Sequence, residues 1–432
     1  MKIGIIGSGH VGLVTGACFA HLGHEVICID QDPRKIAFLK KGKIPIYEPG
    51  LAEMIETNLR KKRLFFAREI STAVRRAEVL FVCVWTPPKE NGEADLSAVE
   101  NVSREIARNM TSYRLIVEKS TVPVQTGEWV YRTVEANRRG HVEFDVASNP
   151  EFLREGSAIR DFLSPDRIVI GVQSKRAEKI LRELYRPIQA PFLVTDIKSA
   201  ELIKHASNSF LATKISFINL VSRACEGAGA DIKKVAEGMG LDPRIGKSFL
   251  SAGVGFGGSC FPKDLSAFVR IFERFKINPG LLREVLEINK SQKEAFVEKI
   301  GKHLWNLKEK TIGVLGLSFK PDTDDMRFAP AVDIVKGLLE EGAHLRLYDP
   351  RATATARQVL RGLSGMRFVK NPYEAARKAD ALVLLTEWPE FLELDFKRIK
   401  KLLRHPILFD GRNLYDPGRM GKMGFQYYGV GR

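Results

Sequence analysis

The stretch KIGIIGSGHVG, residues 2–12, decides the fold, because it joins a short apolar strand to a glycine-rich turn. The glycines match the spacing G-x-G-x-x-G and are Gly7, Gly9 and Gly12. Glycine lets the backbone turn tightly and approach a ligand closely. A helix predicted over residues 11–22 would point its N-terminus at that ligand. By itself the motif leaves open a tight turn with incidental glycines.

A second buried strand, HEVICID at residues 24–30, follows the helix and ends in Asp30. Strand, glycine turn, helix, strand and terminal acid at these spacings predict a βαβ dinucleotide-binding unit. The helix N-terminus would take the pyrophosphate, and Asp30 would bind the adenosine ribose. An acid at this position favours NAD over NADP, because a carboxylate repels a 2′-phosphate.

Further apolar strands alternate with helical patterns and lie at residues 79–85, 115–119 and 144–148. This alternation predicts a doubly wound parallel sheet. Polar loops follow these strands, with the sequences TPP at 86–88, STVP at 120–123 and NPEFLREG at 149–156. Ligands bind at the carboxyl ends of such strands, so the loops are predicted to line a site. The third loop either starts a helix or supplies carboxylates, Glu151 and Glu155, for acid/base chemistry.

A long helix is predicted over residues 199–229, a length that often links two domains and can supply a dimer contact. Lys204 and Asn208 share one face of this helix, because they lie four residues apart. On a helix that is otherwise apolar or small, these side chains either project into a site or are simply solvated.

The stretch FLSAGVGFGGSCFPKD, residues 249–264, sets a single cysteine, Cys260, after a run of small residues. Repeated glycines allow the backbone to approach a ligand, with amide groups facing inward. Lys263 and Asp264 add a cation and a carboxylate near the thiol, and such surroundings favour thiolate chemistry. The alternative is a glycine-rich surface loop with one structural cysteine.

From Thr311 the chain repeats the pattern of its opening, with GAHLRLYD at 342–349 echoing GHEVICID at 23–30. The copy lacks the third glycine, so we expect it to keep the fold without the dinucleotide. Its loops are cationic and suit a nucleotide diphosphate, the cations being Lys320, Arg327 and Arg412. A strand at 407–409 is expected to complete this sheet, and the tail after Asp416 carries no readable pattern.

Length and composition bound the remaining possibilities. A chain of 432 residues is too long for one ordinary core, and no apolar run approaches the roughly 18 residues of a membrane span. The five cysteines are scattered, which indicates a reducing cytoplasm with neither disulfides nor a metal site. The net charge of +16 suits an anionic small molecule. A nucleic-acid surface is the weaker interpretation, since no such motif is present.

Five segments resemble the UDP-glucose/GDP-mannose dehydrogenase family, and the resemblance spans nearly the whole chain. They are NPEFLREGSAIRDF at 149–162, KHASNSFLATKISFIN at 204–219, GFGGSCFPKD at 255–264, FKPDTDDMR at 319–327 and DGRNLYDP at 410–417. The resemblance implies NAD-dependent oxidation of a sugar-nucleotide C6 alcohol to a carboxylate, with two NAD and one water per turnover. UDP-glucose, giving UDP-glucuronate, is the expected substrate. GDP-mannose, UDP-N-acetylmannosamine, or a non-catalytic nucleotide-sugar binding protein are the alternatives.

The resemblance also implies catalytic roles. Cys260 would be the nucleophile that passes through a thiohemiacetal and a thioester. Lys204 and Asn208 would stabilise the oxyanions, and Asp264 would order Lys204 and a water. Glu151, with Thr121 reached through a water, would be the acid/base of the hydrolytic step.

Binding residues and domains follow from the same resemblance. NAD contacts are implied at Gly7, Gly9, His10, Val11, Gly12, Asp30, Lys35, Thr86, Thr121, Glu155, Lys263 and Arg327. Sugar-nucleotide contacts are implied at Phe152, Leu153, Arg154, Glu155, Lys204, Asn208, Arg244, Phe249, Ser251, Gly253, Gly257, Lys320 and Arg412. We expect two Rossmann-like domains, 1–196 for NAD and 306–432 for the UDP-sugar, joined by a helical domain at 197–305. A homodimer formed through the central helix is expected, without a nucleic-acid or membrane partner.

Overall fold

The computed structural model describes residues 1–432 and divides into two compact units. Unit 1 comprises residues 1–207 and 266–277, and unit 2 comprises residues 208–265 and 278–432. The predicted division into three domains stays a prediction beside this one. None of the helices has both the length and the apolar character that crossing a bilayer demands.

The sheet of unit 1 has eight strands. They are β1 (Lys2–Ile6), β2 (Glu25–Ile29), β3 (Leu64–Ala67), β4 (Val79–Val82), β5 (Arg114–Glu118), β6 (Phe144–Ser148), β7 (Ile168–Gly171) and β8 (Phe192–Thr195). Their order is β3-β2-β1-β4-β5-β6-β7-β8, and the first six positions have the order of a dinucleotide-binding sheet. The predicted doubly wound fold is thereby confirmed. One junction differs from the prediction, because β6 and β7 pair antiparallel, with Ser148 opposite Gly171.

Eight helices accompany this sheet. They are α1 (His10–His21), α2 (Pro33–Leu39), α3 (Leu51–Arg60), α4 (Ile70–Arg76), α5 (Ser97–Asn109), α6 (Thr126–Asn137), α7 (Ala158–Leu163) and α8 (Lys175–Leu184). Alternate residues of β4 enter two separate hydrophobic cores, Val79 and Phe81 one of them and Leu80 and Val82 the other. The sheet is therefore covered on both faces, which explains why its strands are apolar throughout.

A helical segment precedes the second sheet. Its helices are α9 (Ile197–Ala228), α10 (Ile232–Gly240), α11 (Phe261–Arg274) and α12 (Gly280–Leu304). The long helix predicted over residues 199–229 is thus confirmed as α9, which runs through the boundary between the two units.

The sheet of unit 2 has six parallel strands, β9 (Thr311–Leu315), β10 (His344–Tyr348), β11 (Met366–Phe368), β12 (Ala381–Leu384), β13 (Ile407–Asp410) and β14 (Gln426–Tyr428). Their order, β11-β10-β9-β12-β13-β14, repeats that of the first six strands of unit 1. The helices around it are α13 (Pro330–Glu340), α14 (Thr353–Val359), α15 (Pro372–Ala376), α16 (Pro389–Leu392), α17 (Phe396–Leu402) and α18 (Pro417–Lys422).

The expectation that the strand at 407–409 is the last one is wrong, because β14 pairs in parallel with β13. The side chain of Asn413 holds this C-terminal segment, accepting from Val430 N at 2.9 Å and donating to Val430 O at 2.8 Å. These hydrogen bonds join residues that are far apart in the segment. The glycine-rich tail therefore shows no periodic sequence pattern from which β14 could have been predicted.

We expect Asn413→Ala to loosen the C-terminal segment, because both bonds to Val430 are lost. Asn413 has a φ of 53°, a conformation that asparagine tolerates better than alanine. The free energy of unfolding should fall by about 1–3 kcal/mol. Hydrogen exchange of residues 426–430 should be faster than in wild type, and it should be unchanged in the exposed control Asn306→Ala. Equal protection in all three proteins would contradict this account.

Candidate active site

The glycine turn after β1 is shaped to receive a ligand. Gly7 has a φ of 101°, and a Cβ on Gly12 would lie 1.9 Å from the carbonyl oxygen of Gly7. A Cβ on Gly9 would meet nothing within 4 Å, so this side of the turn is open. Gly9 caps α1 without any side-chain hydrogen bond, which leaves the first N–H groups of the helix for an anion. The turn therefore fits the pyrophosphate of NAD.

Asp30 lies at the end of β2, beside this turn. Its carboxylate accepts from Ser8 N at 3.2 Å and from Lys35 Nζ at 2.7 Å. Both Asp30 and Lys35 were predicted as NAD contacts, and the structure brings them together. The ion pair is partly exposed, so its carboxylate can also accept from a ribose hydroxyl.

His10 is fastened to a buried acid, Glu48, that the sequence did not reveal. The two side chains lie 2.8 Å apart, and Glu48 also accepts from Gly156 N at 2.7 Å and Ala158 N at 2.8 Å. Burial lowers the pKa of His10, but the hydrogen bond to Glu48 and the charge of Glu155 raise it above the ordinary 6.5. Glu48 thus ties the glycine turn to the loop that carries Glu155.

A hydrogen bond joins the loops after β4 and β5, and an ion pair joins the loop after β6 to α9. Thr86 donates through its hydroxyl to the carbonyl of Thr121 at 3.0 Å, which joins the loops after β4 and β5. Glu151, after β6, accepts from Leu153 N at 2.7 Å and pairs with Lys204 Nζ at 3.0 Å. Lys204 and Glu151 are 4% and 6% exposed, so this ion pair is almost excluded from water.

A second buried cation, Lys119, forms hydrogen bonds beside these loops. Lys119 Nζ donates to Asn149 Oδ1 at 2.9 Å and to the hydroxyl of Tyr185 at 3.2 Å. Burial lowers the pKa of Lys119 to about 8. Neither Lys119 nor Tyr185 was identified from the sequence, since a lysine at a strand end is usually solvated. The network fixes the residues that precede Thr121 and Glu151.

In unit 2, Cys260 lies at the start of α11, where its carbonyl accepts from Asp264 N at 2.8 Å. None of the five cysteines forms a disulfide, and the other four are buried whereas Cys260 is partly exposed. Negative charge on its sulfur would be favoured by the partial positive charge of a helix N-terminus.

Asp264 accepts from Asn208 Nδ2 at 2.6 Å and from Lys263 Nζ at 2.7 Å. Three residues predicted from the sequence thus form one buried cluster.

The loop before Cys260 follows a path that requires glycine. Gly255 has a φ of 108°, and a Cβ on Gly257 would lie 2.3 Å from the carbonyl oxygen of Phe328. Asn289 binds both backbone groups of Phe256, at 2.8 and 3.1 Å. The sequence gave no reason to single out Asn289, which lies 33 residues further along.

Arg412 connects several loops of unit 2. It donates to the carbonyls of Leu385 at 2.8 Å, Gly255 at 3.1 Å and Phe319 at 3.2 Å. The ammonium of Lys320 lies 5.7 Å from the ring centroid of Phe319. Two of the three cations predicted to bind a diphosphate, Arg412 and Lys320, are therefore partly buried at the same loops.

The other predicted contacts are more exposed. Arg154, Arg244 and Arg327 each pair with an acid close in sequence, and 66%, 88% and 46% of their side chains are exposed. Ser251 is exposed and Gly253 is buried. Val11, Phe152, Leu153, Glu155 and Phe249 are partly buried. The roles of all these residues stay predictions.

Comparison with known proteins gives matches along the chain. The models of the UDP-glucose/GDP-mannose dehydrogenase family match its NAD binding domain at residues 1–189, its central domain at 198–291 and its UDP binding domain at 313–417. The chain is 46% identical to UDP-glucose 6-dehydrogenase TuaD of Bacillus subtilis (strain 168), covering 100% of this chain and 93% of that protein. It is 47% identical to UDP-glucose 6-dehydrogenase of Rhizobium meliloti (strain 1021), covering 100% of both.

Solved structures agree with these matches. A UDP-glucose dehydrogenase from the archaeon Pyrobaculum islandicum is 40% identical, with a TM-score of 0.93 over 100% of this chain and 97% of that one. A UDP-D-ManNAc dehydrogenase from Pyrococcus horikoshii is 28% identical, with a TM-score of 0.88 over 100% of this chain and 99% of that one.

The bond to Glu48 has a measurable effect on His10. We expect Glu48→Gln to lower the pKa of His10, because the anionic acceptor is lost. Because the pKa of His10 is raised in the folded protein, protonation of His10 stabilises the fold. This contribution to stability is complete below pH 6.5 and is lost as the pH rises through the pKa of His10 in the folded protein. Titration of the His10 NMR signal, assigned with His10→Gln, measures the shift. The exposed control Glu53→Gln should leave it unchanged, and an unchanged pKa in Glu48→Gln would refute the pairing.

Proposed function

We propose that this chain, which belongs to the UDP-glucose/GDP-mannose dehydrogenase family, is an NAD-dependent UDP-glucose 6-dehydrogenase that makes UDP-glucuronate. The observation that carries the proposal is Cys260, a partly exposed thiol that forms no disulfide and lies at the start of α11. A protein that only binds nucleotide sugars has no use for such a thiol. The full-length relatives named as UDP-glucose 6-dehydrogenases support the choice of substrate.

NAD would be held in unit 1 by the open glycine turn and by Asp30. Bound there, it supplies the hydride acceptor for each of the two oxidations. The carboxylate of Asp30 would accept from the adenosine ribose, as the sequence predicts. The positive charge that Glu48 favours on His10 would lie near the pyrophosphate and oppose its negative charge.

Cys260 would let a four-electron oxidation proceed without release of the aldehyde. The first oxidation converts the C6 alcohol to an aldehyde, and the Cys260 thiolate then forms a C–S bond to the carbonyl carbon. The carbonyl oxygen becomes the alkoxide of a thiohemiacetal. Loss of a second hydride from this carbon gives a thioester. Water adds to the thioester, the C–S bond breaks, the thiolate leaves and the carboxylate remains.

The polar residues would stabilise charge and move protons in these steps. Glu151, the carboxylate of the buried pair, would take a proton from the attacking water, with Thr121 reached through a further water. Lys204 would stabilise the oxyanions. Asn208 gives one amide hydrogen to Asp264 and keeps its second for the same oxyanions.

The diphosphate of the substrate would be bound by unit 2, which contains the match to the UDP binding domain of the family. Arg412 directs three of the five N–H groups of its guanidinium at backbone carbonyls, and its Nε also lies 3.2 Å from a carboxylate oxygen of Glu387. Two therefore remain for phosphate oxygens, with Lys320 as a second cation. UDP-N-acetylmannosamine is the competing substrate, because the relative from Pyrococcus horikoshii shares the fold.

The exposed apolar residues of α9 support a homodimer. Phe210, Phe217 and Leu220 are 65%, 49% and 47% exposed, and spacings of seven and three residues place them on one face of the helix. Aromatic side chains so far exposed on a long helix are typical of an interface. The occupant that we propose is α9 of a second copy.

The thioester route predicts a stoichiometry. Wild-type protein should release about two NADH per UDP-glucose, because both oxidations occur before release. Cys260→Ala should reduce the rate of NADH formation by roughly 10³-fold or more, as loss of a nucleophile does. Cys225→Ala, a change at a buried cysteine, is the control and should behave as wild type. Full activity of Cys260→Ala would eliminate the covalent route.

The same assay tests the substrate. If NADH formed with GDP-mannose or UDP-N-acetylmannosamine but not with UDP-glucose, only the proposed identity of the sugar nucleotide would be wrong. No NADH with any of the three would refute the enzyme and leave a binding protein.

The homodimer can be tested by mass. We expect wild type to sediment at about twice the 48.4 kDa of one chain, and Phe217→Glu to sediment as a single chain. Dimerisation would be weakened, because a carboxylate buried without a partner at the centre of the interface loses its hydration and gains no compensating contact. Trp129→Glu, at an exposed position of α6, should stay dimeric. A Phe217→Glu variant that remains dimeric would show that α9 is not the interface.

A further inference from the structure

A pair of buried carboxyl groups lies at the junction of β5 and α9. Glu118 is the last residue of β5, and Glu201 lies near the start of α9. They are 1% and 2% exposed, and after burial the charge of Glu201 is the largest cause that raises the pKa of Glu118. A Cβ on Gly127 would lie 2.5 Å from Ile197, so the glycine lets the start of α9 approach α6. The same Cβ position lies 3.5 Å from one oxygen of each acid, which places the two carboxyl groups side by side. Nothing in the proposed chemistry uses either acid.

The hydrogen bonds of the two acids are unequal. Glu201 accepts from Gly127 N at 2.8 Å through one oxygen and from Gln125 N at 2.7 Å through the other. No N–H group donates to either oxygen of Glu118. Two carboxyl groups buried side by side cannot both be ionised, so we infer that one of them carries a proton. The backbone donors select Glu201 as the ion, and Glu118 as the acid that donates to it.

We propose that Glu118 is kept protonated and that its hydrogen bond to Glu201 makes the pair a positioning device, which fixes α9 so that Lys204 reaches Glu151. The catalytic part of this inference rests on the function proposed above. The pair itself does not touch the reacting atoms.

The contacts of α9 explain how the pair would act on Lys204. Glu201 is bound to the start of α6, and His205 Nε2 lies 2.9 Å from the carbonyl oxygen of Val122. These two attachments flank Lys204 on the helix. Losing the first one would let the start of α9 shift, and the ammonium of Lys204 would move with it. Thr121, three residues beyond Glu118, lies in the loop after β5 that also contains Val122.

The surroundings of the pair set its response to pH. The charged neighbours are Glu128 of α6, which raises the pKa of Glu201, and Lys198 of α9, which lowers it, and these two form an ion pair at 2.7 Å. His205 faces the loop after β5, and Lys204 is paired with Glu151. Burial raises the pKa of Glu201 from 4.5 to about 7 and that of Glu118 well above its ordinary value. The folded protein therefore binds the shared proton more tightly, so stability is lost as pH rises from 4.5 towards and beyond 7.

Two isosteric variants of the full chain separate the acids. Glu118→Gln keeps a donor to Glu201 but removes the proton that can be lost. We expect it to keep wild-type kcat at neutral pH and to lose the alkaline decline of both Tm and kcat. Glu201→Gln replaces one accepting oxygen by an N–H₂ group facing a backbone N–H. It should lower Tm at every pH and reduce kcat by about 10-fold, with KM for NAD changed less.

The control for Glu118 is Glu118→Leu, which has similar volume but no donor and should lower kcat where Glu118→Gln does not. Tm and kcat are measured between about pH 5 and pH 9. Equal damage in Glu118→Gln and Glu201→Gln would overturn the assignment of the proton. An alkaline decline that persists in Glu118→Gln would overturn it as well. Wild-type kcat in Glu201→Gln would overturn the positioning role.

Failure of the proposed function has a different signature. If wild type oxidises no sugar nucleotide, the comparison of Tm against pH still decides where the proton lies. Hydrogen exchange of residues 199–206 then decides the positioning role. Faster exchange in Glu201→Gln but not in Glu118→Gln supports it, and equal exchange in both refutes it.

Discussion

The buried ion pair between Lys204 and Glu151 is the constraint to which the loops of unit 1 conform. Removing two charges from water costs several kcal/mol for each ion, and the cost is recovered only when the partners meet in good geometry. Their atoms lie 3.0 Å apart, and Leu153 N occupies the second oxygen of Glu151. The loop after β6 therefore cannot turn away from α9 without exposing an unpaired charge. Such a pair determines where the helix lies more than it adds net stability.

The two sheets share a strand order, yet the acids that follow their second strands have different surroundings. Asp30 accepts from Ser8 N and Asp32 N, and its ion pair with Lys35 is partly exposed. Asp349 is 3% exposed and accepts from Leu317 N, Ser318 N and the indole of Trp388. An acid whose acceptor sites are filled by its own protein has little left for a ribose. This difference supports the expectation from the missing third glycine that the second unit does not hold the dinucleotide.

The parts of the fold that the sequence predicted are those that depend on neighbouring residues. The glycine turn, Asp30 and α9 follow from spacing within one βαβ unit or one helix. Glu48 could not be found in this way, because its partners are 38, 108 and 110 residues distant. The same holds for Lys119, whose partner Tyr185 is 66 residues away. A buried polar residue is placed by the group that it must satisfy, and that group is unknown until the chain has folded.

The loop before Cys260 shows how an irregular segment can be fixed without strand pairing. Its buried backbone groups still need partners, and amide side chains of α9 and α12 provide them. Asn219 accepts from Gly253 N, Gln292 donates to Gly253 O, and Asn289 binds both groups of Phe256. Asn289 suits this task because its side chain carries both a donor and an acceptor. The path of the loop is therefore set by helices and not by a ligand, so substrate binding would cost little ordering entropy. On this account, the glycines before Cys260 serve close packing and not flexibility, Gly257 against Phe328 and Gly258 against Phe319.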